Sequence, residues 1–342
     1  MSQIVKAGCS KLTTTATSQC EPRQITTSVV DGSGLTTSNT KGDRSNSSPS
    51  PFLKWAGGKR SLLDQYREHL PSPGEFNNYH EPFLGSGAVF LGLYAEWLAY
   101  RFFEQDDRLV FLSDANPRLV NLWEQVQANP NAVIEQAFIM FAEMKIMSQT
   151  EREGYYGFLR KRFNSLLVSG DEATLASRID SAAIFIFLNR WGFNGLYREN
   201  QAGRFNVPLG TRKNDPSVPS EAIWAASEDL LGVDLRCGDY AATLTLANPG
   251  DFVYLDPPYY PVKKTSFTGY CNQFTEQDHS ELAALVKQLT QNGVKVAVSN
   301  SDCAEVRRLY NGFRFVEYQR SGRMNSRGSG RQAVGELLIL NY

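Results

Sequence analysis

The sequence has little of several features that would point to particular classes of protein. Its five cysteines are scattered without a C-x-x-C pair, and its three histidines lack zinc-ligand spacing, so we predict neither a disulfide framework nor a metal site. No apolar run is long enough to span a bilayer, and the N-terminus has no signal-peptide core, so we expect a cytoplasmic protein without membrane association. The formal net charge of −1 gives no general attraction for nucleic acid, so a nucleic-acid partner requires a local basic patch.

The first 50 residues lack aromatic side chains altogether and contain 19 Ser or Thr. A segment of this composition cannot bury enough apolar surface to offset the entropy lost on ordering. We therefore predict a disordered N-terminal extension over residues 1–50. All 20 Phe, 15 Tyr and 5 Trp of the chain follow Pro51, where we expect the folded part to begin.

Two parts of the folded region alternate strand-like and helix-like segments. This alternation predicts an α/β fold, with a mostly parallel sheet covered by helices on both faces. The alternation stops between them, where the sequence is helix-like and then rich in loops. We therefore predict a core domain in two parts, 51–139 and 236–342, with a mainly helical insert at 140–235.

A glycine-rich turn ends the first predicted strand, in "YHEPFLGSG". Gly85 and Gly87 allow the backbone to turn tightly and to approach a ligand, and Asp114 ends the next predicted strand. A carboxylate in that position is suited to binding ribose hydroxyls. Phe90 stands where a dinucleotide fold needs a small residue, which disfavours NAD, and "AGGKRS" departs from the ATP-binding P-loop pattern.

The stretch "VYLDPPYYP" joins an apolar strand to an acid and two prolines. Because proline restricts both itself and the residue before it, Asp256 and Pro257 form a stiff segment that presents a carboxylate and a carbonyl as two acceptors. The exocyclic amino group of a nucleobase offers two matching donors, and the ring of Tyr259 offers a surface for stacking. This pattern predicts methyl transfer to a base nitrogen. The alternative is a purely structural role, in which a turn caps the strand end and Tyr259 packs in the core.

The motifs together resemble a known family. "FLKWAGGKR", "EPFLGSGAVFL", "LNRWGFNGLYR" with "GRFNVPLG", and "DPPY" follow one another in the order typical of Dam-type (D12 class) DNA adenine-N6 methyltransferases. The resemblance covers about residues 52 to 337. It implies a Rossmann-like, class I S-adenosylmethionine-dependent methyltransferase in which residues 140–235 recognise the DNA target.

The resemblance also implies roles for individual residues. Asp256, Pro257 and Tyr259 are the catalytic residues, and cofactor contacts are assigned to Trp55, Lys59, Gly85, Gly87, Asp114 and Asp256. Each has a bland alternative: Trp55 in the core, Lys59 as a solvated surface charge, and Asp114 as the N-cap of the following helix.

Duplex DNA is the partner that the resemblance implies, and no protein partner is required. "RSGRMNSRGSGR" has four Arg and no acid, which suits a phosphate track or a solvated basic loop. An adenine must leave the base stack to be methylated, and Phe193 and Asn194 are the candidate wedge, unless Phe193 packs back into the insert.

The family resemblance implies methylation of adenine in GATC. We assign DNA contacts to Lys54, Phe193, Asn194, Leu196, Arg198 and Pro208, with Arg198 reading guanine. The chain departs from the family pattern at Thr211-Arg212, where a basic residue followed by Tyr is usual. Cytosine-N4 or RNA-adenine methylation, and an inactive DNA-binding regulator on the same fold, are the alternatives.

Overall fold

A computed structural model of the chain describes residues 51–55, 57–94, 107–261, 274–320 and 334–342. The predicted disordered segment 1–50 lies outside the described residues, as does the Arg-rich stretch from residue 321 to 331. The described strands are β1 (Tyr79–Glu81), β2 (Val110–Asp114), β3 (Asp234–Cys237), β4 (Phe252–Leu255), β5 (Lys295–Ser301), β6 (Arg314–Arg320) and β7 (Val334–Leu340).

The seven strands form one sheet in the order β3-β2-β1-β4-β5-β7-β6. The first five strands of this order pair in parallel, and β7 pairs antiparallel with both β5 and β6. The predicted α/β class with a mostly parallel, Rossmann-like sheet is confirmed.

The described α-helices are α1 (Leu63–Arg67), α2 (Pro117–Ala128), α3 (Pro130–Ile146), α4 (Gln149–Ser165), α5 (Leu175–Trp191), α6 (Ser220–Asp229), α7 (Tyr240–Leu244), α8 (Glu276–Gln291) and α9 (Ala304–Leu309). Short 3₁₀ helices cover Lys59–Ser61, Pro73–Glu75 and Phe193–Gly195, and a π-helix covers Phe90–Tyr94. None of the described helices is long and apolar enough to cross a membrane.

Local sequence signals account for the ends of two long helices. Thr275 and Asp278 form a capping box at the start of α8, because the Thr275 hydroxyl accepts from the Asp278 backbone N–H and the Asp278 carboxylate accepts from the Thr275 backbone N–H. Helix α2 begins with Asn116 as its N-cap and Pro117 in its first turn, where the missing N–H costs nothing.

The helices between β2 and β3 share a hydrophobic core with the sheet. Phe163 and Phe185, from α4 and α5, belong to the same buried cluster as Tyr79 and Phe252 of the sheet. The boundary predicted between residues 139 and 140 falls inside α3, and the one between 235 and 236 falls inside β3. The division into a core and an insert remains a prediction.

The strand order places the candidate site. Successive strands run outward from β1 to β2 and β3 on one side, whereas the chain returns to β4 on the other side of β1. Ligands of open parallel sheets bind at such a reversal, beyond the carboxyl ends of the strands. The glycine-rich turn follows β1, and Asp256 directly follows β4, so both motifs lie at this reversal.

Candidate active site

Asp256 is held at the end of a completely buried strand. All four residues of β4 are buried, and Asp256 is the first residue after them. The following segment is tied to β5, because the Tyr260 N–H donates to Asn300 Oδ1 at 2.9 Å and the Ser301 hydroxyl donates to the Tyr260 carbonyl at 2.7 Å. The two prolines and these two bonds give Asp256 and Tyr259 a defined orientation.

The Lys59 ammonium group binds Asp256 directly. Its Nζ donates to the two carboxylate oxygens at 2.6 and 2.5 Å and to the Gly57 carbonyl at 3.1 Å. The same Nζ lies 4.9 Å from the centre of the Tyr259 ring. Lys59 is only 1% exposed, so its interpretation as a solvated surface charge is wrong.

A second buried carboxylate, Glu336 of β7, lies beside this pair. Glu336 is 2% exposed; its Oε1 lies 4.0 Å from Lys59 Nζ and accepts from the Tyr66 hydroxyl at 2.7 Å. Burial, and then the charge of Glu336, raise the pKa of Tyr66 well above its ordinary value, so its hydroxyl remains a donor. Sequence reasoning missed Glu336, although an acid within the apolar run "VGELLIL" is a signal that could have identified it.

The glycine turn is formed as predicted and is covered by tryptophan. Gly85 and Gly87 have φ of +50° and +61°, the left-handed region that favours glycine. A Cβ on Gly85 would lie 2.8 Å from Trp55 Nε1, and one on Gly87 would lie 3.0 Å from the Trp123 ring. Trp55 is partly buried against the core, as the alternative held, and its indole also lies on the turn.

Asp114 is bonded to the same turn. Its Oδ2 accepts from the Gly85 N–H at 3.1 Å and its Oδ1 accepts from the Asn116 N–H at 2.9 Å. Burial raises the pKa of Asp114, while these backbone bonds oppose the rise. The interpretation of Asp114 as the helix N-cap is wrong, because Asn116 caps α2 through its own side chain.

Glu81, at the end of β1, is another buried acid that sequence reasoning missed. Its Oε2 accepts from the Tyr79 hydroxyl at 2.7 Å and from the Phe90 N–H at 3.1 Å. Burial raises the pKa of Glu81 to about 8. The carboxyl group is therefore largely protonated at neutral pH and links β1 to the start of the π-helix.

The predicted wedge forms a tight turn after α5. Asn194 has φ of +54°, and it is the only non-glycine residue with positive φ in the described part of the chain. The Phe193 N–H donates to the Pro208 carbonyl at 2.9 Å, which joins the turn to the second half of the recognition segment. Phe193 is 43% exposed, so it is not packed back into the helices.

The other residues assigned to DNA contacts lie around this turn. Arg198 Nε donates to Asn206 Oδ1 at 2.7 Å, which orients the guanidinium group. A Cβ on Gly195 would lie 2.7 Å from Lys54, so the Lys54 side chain runs along the turn. Leu196 is partly buried against the core and Pro208 is exposed.

Arg190 and Arg212 form, with Lys54, a cluster of positive charge that sequence reasoning did not identify. Burial, and then Arg212 and Arg190, lower the pKa of Lys54, and Arg212 likewise contributes to lowering that of Arg190. Arg190 donates to the Phe52 carbonyl and Arg212 to the Gly192 carbonyl, whereas the buried Nε of each has no hydrogen-bond partner among the residues that the structure describes. No ion pair joins these three side chains to a carboxylate within the described ranges.

Comparison with known proteins gives the family. The family model of D12 class N6 adenine-specific DNA methyltransferases matches residues 55–324. A type II methyltransferase of Methanocaldococcus jannaschii, M.MjaIII, is 35% identical over 299 residues, which are 85% of this chain and 99% of the relative. The DNA adenine methylase of Vibrio cholerae is 35% identical over 84% of this chain and 95% of its own length. That of Escherichia coli is 34% identical over 84% and 94%.

These matches span nearly all of the folded region. They include the turn at Gly85, the segment around Arg198 and the motif at Asp256, which the structure places on one continuous core. The chain therefore belongs to the D12 class N6 adenine-specific DNA methyltransferases.

Proposed function

We propose that the protein transfers a methyl group from S-adenosylmethionine to N6 of an adenine turned out of duplex DNA, within the sequence GATC. The observation that carries this proposal is the Asp256 carboxylate on a rigid, buried strand end, with the ring of Tyr259 beside it and the glycine turn on the adjacent strand β1. The arrangement joins an acceptor for an amino group, a surface for a base and a turn suited to a nucleoside.

The residues at the glycine turn fit S-adenosylmethionine. Gly85 and Gly87 have left-handed backbones and no Cβ atoms that would crowd the turn. The Asp114 carboxylate accepts from the Gly85 N–H and has further lone pairs that can accept hydrogen bonds from ribose hydroxyls. The indole of Trp55 would flank the bound molecule. S-adenosylmethionine supplies an electrophilic methyl group when it is bound, and the protein residues orient the acceptor nitrogen towards it.

Asp256 and Pro257 would activate the adenine. The Asp256 carboxylate and the Pro257 carbonyl accept the two N6 hydrogens, which draws the nitrogen lone pair out of conjugation with the ring. Tyr259 stacks on the base and fixes its plane. When N6 gains the methyl group it must lose one proton, and the Asp256 carboxylate bonded to that proton is its first acceptor.

The recognition segment would hold the duplex while the adenine is extruded. Phe193, exposed at the tip of its turn, would fill the space that the base leaves, with Asn194 supplying the turn geometry. Arg198, oriented by Asn206, would donate two hydrogen bonds to guanine. Lys54 would contact the other purine edge, and Leu196 and Pro208 would contact thymine methyl groups.

The cluster of Lys54, Arg190 and Arg212 supports a polyanionic partner. An anion stabilises three neighbouring cations that repel one another, the exposed Lys54 and the half-buried Arg190 and Arg212, and guanidinium groups are suited to binding phosphate oxygens. Arg212 stands where the family pattern usually has Tyr. The proposed phosphate contact from Arg212 is therefore a feature in which this chain departs from the family pattern.

The test uses purified protein, tritiated S-adenosylmethionine and matched substrates. We expect label in a GATC duplex and little label in a duplex with one altered base pair, in single-stranded RNA or in a duplex without adenine. Sequencing of modified bases in DNA from cells expressing the protein then identifies the site. Methylated adenine in another motif would overturn GATC alone, whereas label in cytosine or in RNA only would overturn the proposed reaction.

A further inference from the structure

Lys59 makes the contacts that the proposed reaction assigns to the adenine. Its ammonium group donates to both oxygens of Asp256, and it lies over the ring of Tyr259. An N6 amino group bound for methylation would donate to that same carboxylate, and the base would stack on that same ring. The adenine and the Lys59 ammonium group therefore compete for one position.

The ion pair between Lys59 and Asp256 compensates two charges that lie at least partly away from water. Asp256 follows a fully buried strand, and Lys59 is itself buried, so each charge neutralises the other. If adenine displaced Lys59 without a replacement partner, a buried ammonium group would be left without a counter-charge, which is strongly unfavourable. The lysine needs a second anionic partner within reach.

Glu336 meets this requirement. Its Oε1 lies 4.0 Å from Lys59 Nζ, so a movement of about 1 Å brings the two atoms to hydrogen-bond distance. The Tyr66 hydroxyl donates to the same Oε1 at 2.7 Å and is itself joined to Ser299 Oγ at 3.0 Å, which holds the carboxylate in place. Lys59 thus lies between two carboxylates, one of them in the proposed catalytic motif and one behind it.

We infer that Glu336 is a positioning residue for methyl transfer: it receives the Lys59 ammonium group when the target adenine takes its place on Asp256. The inference rests on the proposed function. No covalent bond changes in this step; one ion pair and its hydrogen bonds are exchanged for another. Glu336 acts through Lys59 and does not touch the base.

The exchange predicts coupling between Glu336 and Lys59. In Glu336→Gln the amide retains an oxygen for the Tyr66 hydroxyl but loses the charge that attracts Lys59, so Lys59 stays on Asp256. We expect the single-turnover rate with a GATC duplex to fall at least tenfold while the thermal midpoint of unfolding is retained. Glu317→Gln, an exposed change on the neighbouring strand β6, is the matched control and keeps the wild-type rate.

Binding without cofactor supplies a readout that does not depend on turnover. Each protein is titrated with two duplexes, one with adenine and one with unsubstituted purine, which lacks the amino group, at the target position. In the wild type the amino group favours adenine, and in Glu336→Gln this preference falls at least fivefold, because Lys59 keeps Asp256 occupied. In the Lys59→Met background, Glu336→Gln should change the preference less than twofold.

The outcomes separate a purely structural role from the inferred one. If Glu336 only supports the fold through Tyr66, then Glu336→Gln has the same effect in both backgrounds and the inference is overturned. It is also overturned if Glu336→Gln keeps the wild-type rate and adenine preference. A wild-type protein that does not methylate adenine in DNA would instead overturn the proposed function.

Discussion

Two groups of cations in this protein, the buried Lys59 and the half-buried to exposed cluster of Lys54, Arg190 and Arg212, differ in the carboxylates that lie near them. In the candidate active site, Lys59 lies between two carboxylates, those of Asp256 and Glu336. At the turn Phe193–Gly195, no carboxylate in the described part of the chain pairs with Lys54, Arg190 or Arg212, and burial, followed by the charges of Arg212 and Arg190, lowers the pKa of Lys54. Lys59 therefore has carboxylate partners within the chain, whereas the described residues supply none for the cluster at the turn.

The difference indicates that the charges around Lys59 organise the site itself, whereas the cluster of Lys54, Arg190 and Arg212 is suited to binding an anionic ligand. Removing one partner of a buried ion pair lowers the stability of a protein by about 3–5 kcal/mol, because the other charge is left buried without a partner. Lys59 and Asp256 therefore have to be present together. A cluster of like charges reduces stability unless an anion binds. In a DNA methyltransferase, the phosphates of the substrate are the natural counter-charge for such a cluster.

Removing Asp256 takes away one of the two carboxylates beside Lys59 and should give the largest effect on methyl transfer. For Asp256→Ala we expect methyl transfer to fall by at least ~10²–10³-fold, because an acceptor that acts on the developing charge is lost. Affinity for duplex DNA should stay close to that of the wild type. Single-turnover kinetics and DNA titration measure the two effects, and Asp234→Ala, on the edge strand β3, is the control. A variant with near-wild-type turnover would show that the catalytic assignment is wrong.

Changing Arg198 tests the proposed recognition of guanine. Arg198→Ala should cost ~1–3 kcal/mol of discrimination at one guanine–cytosine pair of GATC, because two hydrogen bonds to guanine are lost. Activity on altered sites should fall less than activity on GATC. The specificity ratio kcat/KM for matched and altered duplexes checks this, with Arg314→Ala, an exposed change on strand β6, as control. An equal loss on every sequence would assign Arg198 to the phosphate backbone instead.

Changing Arg212 tests whether the cluster of Lys54, Arg190 and Arg212 binds DNA phosphates. Arg212→Ala should weaken binding to all duplex sequences alike and reduce the slope of log affinity against log salt concentration by about 1. The loss follows from removing one phosphate contact. Titrations at several salt concentrations measure the slope, and Arg236→Ala, a surface cation paired with Asp234, is the charge-matched control. An unchanged slope for Arg212→Ala alone would contradict the proposed phosphate site.

Glu81 provides the smallest expected effect. The donors to this buried carboxyl group, within the described residues, are the Tyr79 hydroxyl and the Phe90 N–H. Burial raises its pKa from the ordinary 4.5 to about 8, so between these values the folded protein holds a proton that the unfolded chain has released. The free energy of unfolding should therefore fall as the pH rises, by about 1 kcal/mol per pH unit between pH 6 and 7. Glu81→Gln should remove this fall. Urea unfolding at both pH values measures it, with the exposed Glu68→Gln as control.

Much of the fold and of the candidate site could be predicted because its signals are local. The capping box at Thr275, the glycines at Gly85 and Gly87 and the stiff prolines after Asp256 each act within a few residues. The alternation of strands and helices predicted the parallel sheet, and the order of the motifs indicated the family. The predicted limits of the insert miss the element ends, because a helix that spans such a limit shows no change in local pattern there.

Charge pairing was decided only by the tertiary structure. The sequence offered two roles for Lys59, a cofactor contact implied by the family resemblance and a surface charge as the alternative. Only the packing of the first 3₁₀ helix against β4 and β7 places it between Asp256 and Glu336. Likewise, Lys54 comes beside Arg190 and Arg212 only when distant segments pack together. Propensity and periodicity act over a few residues, whereas burial and electrostatic partners depend on which remote segments meet, and this is why the sequence located the motifs and the fold determined their charge.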